Sequence, residues 1–166
     1  MSRGIPWGAI DAVLLDVGGT VVAIDMELVS LRLRELGRRV SAEALARAEA
    51  AARPELSRRL EAGAGTGRDG FSLLLEAALR RALPGEGDPA GLAERLAPLL
   101  RRPGHADDLW SRSVPGARAA LEELARLGLP VIAVSNSDGT AERSLERAGL
   151  RDLFRAVVDS HHVGAE

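Results

Sequence analysis

Cysteine is absent from this 166-residue chain, which excludes disulfides, zinc thiolates and thiol nucleophiles. Lysine is absent too. All 22 basic residues are arginine, so chemistry that requires a lysine amine is closed to these residues. There is no basic excess either, because 24 acidic residues bring the net charge to −2. A nucleic-acid partner would call for a basic stripe, and none is expected. Unbroken apolar runs are a handful of residues, short of the ~20 that a membrane helix needs, so no membrane partner is expected. Met1 to Gly8 shows no charged-then-apolar secretion pattern, and a cytoplasmic location is expected. The rest is an ordinary balance of 46% hydrophobic and 28% charged residues. It suits one folded domain, or a small domain carrying an insertion, with enough chain to bury a core.

Three short apolar runs end in polar residues. Ala12-Val13-Leu14-Leu15 leads to Asp16, Val131-Ile132-Ala133-Val134 to Ser135, and Ala156-Val157-Val158 to Asp159. None alternates with polar residues, which predicts strands buried on both faces of a parallel sheet. Ligands of open α/β sheets bind beyond the carboxyl ends of such strands. Pro115 and Gly128 bracket a predicted helix, with proline at its start and glycine at its end. A second helix is expected from about Gly139 to Ala148, stopping at Gly149.

The middle of the chain shows only helical patterns. Met26, Val29, Leu33, Leu36 and Val40 form one stripe, and Phe71, Leu74, Leu75, Ala78, Leu79 and Ala82 another. Leu92, Leu96, Leu99 and Leu100 form a third. Ser41 suits the cap of a helix that Pro54 should break or kink. The expected organisation is an α/β core from residues 1–22 and 114–166, interrupted by an all-helical subdomain at 23–113.

Several patterns read as structure. Gly65-Thr66-Gly67-Arg68-Asp69-Gly70 spells a dinucleotide fingerprint, but the charged helical segment Arg58-Arg59-Leu60-Glu61 precedes it where that fingerprint needs a strand. It reads as a linker. In His105-Ala106-Asp107-Asp108 the ligand types lie too close in sequence to converge readily on one ion, and the acidic pair suits a helix start. His161-His162 reads as surface loop. Arg32, Arg34, Arg38 and Arg39, interleaved with Glu27 and Glu35, read as a solvated helix face.

Two patterns carry chemistry. In Leu14-Leu15-Asp16-Val17-Gly18-Gly19-Thr20 a carboxylate ends a buried strand and a glycine turn follows at once. The strand end fixes the carboxylate, and glycine lets backbone approach a phosphate or metal closely. Taken alone, an aspartate capping a tight turn explains it equally well. In Ser135-Asn136-Ser137-Asp138-Gly139 a hydroxyl, an amide and nearby helix N–H groups could hold phosphate oxygens, or simply cap a helix. Adjacent parallel strands would set Asp16 and Ser135 side by side.

Together these features resemble the haloacid dehalogenase superfamily of hydrolases, mostly phosphatases. Val13 to Thr20 resembles its first motif, a strand followed by D-x-x-G-T, and Val131 to Asn136 its second. Gly149 to Phe154 and Asp159 to Gly164 resemble the run-up to its third, and the helical insert resembles its cap. The resemblance implies a Rossmann-like parallel sheet with that cap, and a small-molecule substrate such as a phosphate ester. Asp16 would be the nucleophile that forms an aspartyl phosphate. Asp16 and the Gly18 carbonyl would be Mg²⁺ ligands, with a further acidic ligand from a later motif. Ser135 and Asn136 would hold the phosphoryl group, together with Gly19 and Thr20, and Thr20 would brace the loop.

The chain departs from the family in two places. Family phosphatases usually carry a second aspartate, an acid and base, where Gly18 stands. After Val163-Gly164-Ala165-Glu166 many relatives continue into Lys-Pro, then a further strand with an acidic pair. An incomplete sheet, weak or absent turnover, and self-association or a partner at an open apolar edge are therefore expected. Alternatives are a non-catalytic binding protein with this fold, a 2-haloacid dehalogenase (whose relatives also lack the second aspartate and need no Mg²⁺), and an actin-fold sugar kinase, whose phosphate loop also opens with D-x-G-G-T.

Overall fold

The computed structural model describes residues 7–61, 70–101 and 109–164. They form two compact units, one divided in sequence and ending and resuming at Ile24 and Trp110, the other Asp25–Leu109.

The first unit holds a three-stranded parallel sheet in the order β1-β4-β5, from β1 (Val13–Asp16), β4 (Val131–Ser135) and β5 (Ala156–Asp159). Val13 pairs with Val131 and Asp16 with Val134, while Ile132 pairs with Ala156 and Ser135 with Asp159. All three polar strand ends thus arrive at one edge of the sheet. Helix α5 (Ala117–Arg126) precedes β4, and α6 (Ala141–Arg147) joins β4 to β5. Gly116 caps the start of α5 at a positive φ of 83°, with Pro115 in the turn before it. Gly128 and Gly149, at φ 74° and 67°, follow the ends of the two helices. These left-handed positions accept glycine at little cost.

One apolar cluster holds the unit together. Leu121, Leu145, Leu150, Val131 and Ala133 are buried in it, with Phe154, Val17 and Val22, while Leu15 and Val157 pack against it. Leu145 is fully buried, so Leu145→Ala should cost about 2–5 kcal/mol through lost burial and a residual cavity. Thermal or urea unfolding will measure it.

The expected burial of the strands on both faces is not what forms. Leu15, Ala133 and Val157 lie on the packed face, but Leu14 is 66% exposed and Val134 40%. Alternate strand residues face opposite sides, and among the described residues only one side is covered. Periodicity failed here because the sequence puts apolar residues on both sides.

The all-helical insert also needs correction. Val22–Ile24 (β2) and Trp110–Ser113 (β3) pair antiparallel, with an irregularity between Ala23 and Ile24. The units therefore divide at 24/25 and 109/110, rather than at 22/23 and 113/114. Three residues are too few to show a period, and Trp110-Ser111-Arg112-Ser113 has one apolar side chain. Only pairing across the whole insert makes them strands.

The second unit contains α1 (Met26–Glu35), α2 (Ala42–Glu61), α3 (Gly70–Ala82) and α4 (Pro89–Leu100). Its stripes pack largely as expected, with Val29, Leu33, Leu74, Leu75, Leu79, Leu92, Leu96 and Leu100 buried, but α1 ends at Glu35 with Leu36 as its cap, so Val40 lies beyond the helix whose stripe it was expected to continue. Ser41 accepts from the Ala44 N–H at the start of α2. Pro54 lies inside α2 without ending it. Proline removes one ladder bond, but Leu45, Ala48 and Ala52 are buried along that helix, and tertiary packing supplies most helix stability. Among the described residues no helix is long and apolar enough to cross a membrane.

Candidate active site

The turn after β1 is built around one carbonyl. Val17 O accepts from the N–H groups of Thr20, Val21 and Val22 at 3.3, 3.1 and 3.0 Å. Gly19, at φ 79°, donates its N–H to Val22 O at 2.7 Å. A side chain at that φ would be strained, which explains the second glycine of the pair. The chain reverses within a few residues, and the Thr20 hydroxyl returns to donate to Asp16 Oδ2 at 3.1 Å. Asp16 is exposed at the strand end, with its carboxylate oriented by that bond. The N–H groups of Gly19 and Thr20 are engaged inside the turn, so these two residues shape the site.

Gly18 is exposed. A Cβ built on it would stand 3.6 Å from Cζ3 of Trp110 and 3.8 Å from Cη2. The six-membered ring of the half-buried indole thus lies at van der Waals distance from the residue two places after Asp16.

On the neighbouring strand, Ser135 comes one step beyond the register partner of Asp16 and is buried. Asn136 Oδ1 accepts from the Ser160 hydroxyl at 2.8 Å. Asp159, 3% exposed, gathers the loop that follows. It accepts from the Ser137 hydroxyl, from Ala141 N–H at 3.1 Å and from His161 N–H at 3.1 Å. Burial alone would raise its pKa, but these bonds and one from the Gly139 N–H outweigh it and hold the carboxyl below its ordinary value.

The structure therefore brings Asp16, Gly18, Gly19, Thr20, Ser135 and Asn136 to the carboxyl ends of adjacent strands. Asp25 caps α1, accepting from Glu27 N–H and Leu28 N–H. His161 and His162 lie in α7 (Ser160–Val163), a short helical turn rather than a loop. Their rings are 5.6 Å apart in an edge-to-face arrangement. His105 to Asp108 and residues 65–69 of the glycine-rich stretch lie outside the described residues. Two residues of interest escaped the sequence reading. Asp159 showed as a strand end and as the start of the run toward the third motif, not as an acceptor for the neighbouring loop, and Trp110 lay in the segment read as helical, where no local signal ties it to Gly18.

This is an α/β architecture whose polar strand ends lie where ligands of open α/β sheets bind. A family model described as haloacid dehalogenase-like hydrolase matches residues 10–166. The chain belongs to the haloacid dehalogenase-like (HAD) hydrolases. The actin-fold kinase expectation falls with this, since β1 pairs with β4 and β2 with β3, leaving no β1–β2 hairpin.

Among solved structures the chain is similar to the HAD-hydrolase YfnB of Bacillus subtilis bound to magnesium, at 20% identity and a TM-score of 0.57, covering 95% of this chain and 66% of that one. A hydrolase from Streptococcus pneumoniae TIGR4 matches at 17% identity and a TM-score of 0.51, covering 95% and 70%. L-2-haloacid dehalogenase from Xanthobacter autotrophicus with chloropropionic acid covalently bound matches at 24% and 0.51, covering 94% and 59%. The chain thus spans from under to just over two thirds of the length of these relatives. No curated protein matches it.

Proposed function

We propose that the Asp16 site hydrolyses small phosphate monoesters through a phosphoryl-aspartate. The observation that carries this is the exposed Asp16 carboxylate, oriented by Thr20 at the end of β1, with Ser135 ending the adjacent strand. Asp16 attacks phosphorus, and its carboxylate oxygen forms the new bond as the ester oxygen departs. Ser135 and Asn136, with backbone N–H groups of their loop, hold the phosphoryl oxygens. Gly19 and Thr20 keep the carboxylate aimed.

The residues present fit a hard cation. The Asp16 carboxylate and the Gly18 carbonyl are oxygen donors, the kind that Mg²⁺ takes while keeping several waters. Among the described residues no three His, Asp or Glu side chains gather as a metal cluster, so these two would hold it. The bound ion would offset charge on the phosphoryl oxygens.

A second reading shares the nucleophile. With Gly18 in place of a carboxyl acid, Asp16 could displace halide from a 2-haloacid, since halide departs without a proton. One experiment separates the two. The protein is incubated with Mg²⁺ and a panel of phosphate monoesters, and separately with L-2-chloropropionate, and the release of phosphate or chloride is followed. Phosphate release supports the first reading. Chloride release alone transfers the site to the second, and release of neither overturns both.

The open edge of β1 adds a proposal about association. Among the described residues β1 has a neighbour on one side only, and Leu14 on it is 66% exposed. Unpaired apolar edges invite pairing with another chain. Leu14→Lys should reduce self-association in sedimentation velocity while changing stability by only about 0.5 kcal/mol.

A further inference from the structure

Trp110 reaches the site from the far end of the insert. Its six-membered ring lies 3.6–3.9 Å from where a Gly18 Cβ would stand. Gly18, Asp16 and Thr20 are all exposed, so this ring borders an accessible surface two residues from the proposed nucleophile. Proton donation to a leaving group is normally worth roughly 10²–10⁴ in rate, and Gly18 offers no donor. The position carries an apolar, flat neighbour instead.

We infer that Trp110 is a specificity-determining residue, and that it selects phosphate compounds whose leaving group is flat and departs as a stable anion, namely aryl or acyl phosphates. This rests on the phosphoryl reading of Asp16 and narrows its substrate class. A carboxylate oxygen of Asp16 forms a bond to phosphorus. The bond from phosphorus to the leaving oxygen breaks, and its electron pair leaves with the phenolate or carboxylate. No proton has to move in that step, so the missing carboxyl at position 18 costs little with such substrates and much with alkyl esters. The indole offers the departing group a π face or edge, and flat groups pack well against either.

The test uses binding and turnover together. The chain has two tryptophans, Trp7 and Trp110, and Trp7 begins a short helical turn ahead of β1. Trp7→Phe leaves Trp110 as the only tryptophan fluorophore. That protein, with Mg²⁺, is titrated with inorganic phosphate, methylphosphonate and phenylphosphonate. Phenylphosphonate should bind about tenfold more tightly than methylphosphonate and change Trp110 emission. Trp110→Ala should abolish that preference while leaving inorganic phosphate affinity within about twofold, and Trp110→Phe should keep most of it. In turnover, kcat/KM should fall steeply from 4-nitrophenyl phosphate to glycerol phosphate. Equal affinities of the two phosphonates overturn the inference, as does equal turnover of the two esters. So does a Trp110→Ala loss that strikes inorganic phosphate as hard, which marks a structural role. Failure of phosphate and both phosphonates to bind wild-type protein instead overturns the phosphoryl reading, and this inference with it.

Discussion

Replacing Asp16 by asparagine should lower 4-nitrophenyl phosphate turnover by at least about a thousandfold, because the amide oxygen is too weak a nucleophile to form the phosphoryl intermediate. The same change should leave folding nearly untouched. Asp16 is exposed at a strand end, its bond from Thr20 can be kept by an amide oxygen, and exposed substitutions of this kind cost within about 0.5 kcal/mol. Intact-mass spectrometry after a brief reaction should show one added phosphoryl group in wild-type protein and none in Asp16→Asn. No carboxyl stands at position 18 to activate water, so breakdown of the phosphoryl-aspartate should be slower than its formation and 4-nitrophenol should appear in a burst. Undiminished turnover by the asparagine variant would remove Asp16 from the chemistry. Phosphate binding without covalent labelling or turnover in wild-type protein would favour a non-catalytic binding role.

The second large effect falls on Asp159. Its buried carboxylate ties the exit of β5 to the loop between β4 and α6 through Ser137, Ala141 and His161. Asp159→Ala strands those donors. Each unmet buried group costs about 1–3 kcal/mol, some of it regained through water, so a net loss of about 2–4 kcal/mol is expected. The melting temperature should fall by roughly 2–4 °C for each kcal/mol. Asp159→Asn keeps the shape but turns an amide N–H toward a site that needs acceptors, and should also destabilise. The pH dependence has a definite sign. The folded pKa lies below the ordinary value of 3.8, so the ionised carboxylate adds its full stabilisation above that value. The stabilisation disappears as pH falls through the lower, folded pKa. The stability gap between wild type and Asp159→Asn should therefore be constant near neutral pH and narrow under acid. A gap independent of pH down to acid unfolding would show that the charge on Asp159 contributes nothing.

Asp159 also illustrates what local sequence can and cannot show. A polar residue closing the run Ala156-Val157-Val158 announced a strand end. It did not announce that both carboxylate oxygens would turn back onto residues 137–141 and 161. That depends on β5 lying beside β4 with Ser135 opposite Asp159. The Asp16 turn was far more legible because its parts are contiguous. A strand, a carboxylate, two glycines and a threonine lie within a few residues, and the positive φ of Gly19 and the Thr20 bond are local events.

By itself the sequence determined the α/β class, the three parallel strands and the helical stripes of Asp25–Leu109. It also placed a carboxylate, Asp16, at a strand end. Those features follow from hydrophobic period and from turn chemistry, which act over a few residues. The tertiary structure alone decided which face of the sheet is packed, and that Val22–Ile24 and Trp110–Ser113 become a strand pair. It also decided that an indole lies within van der Waals reach of Gly18. Each of these joins residues far apart in the chain, where the energy comes from contacts that no local period encodes.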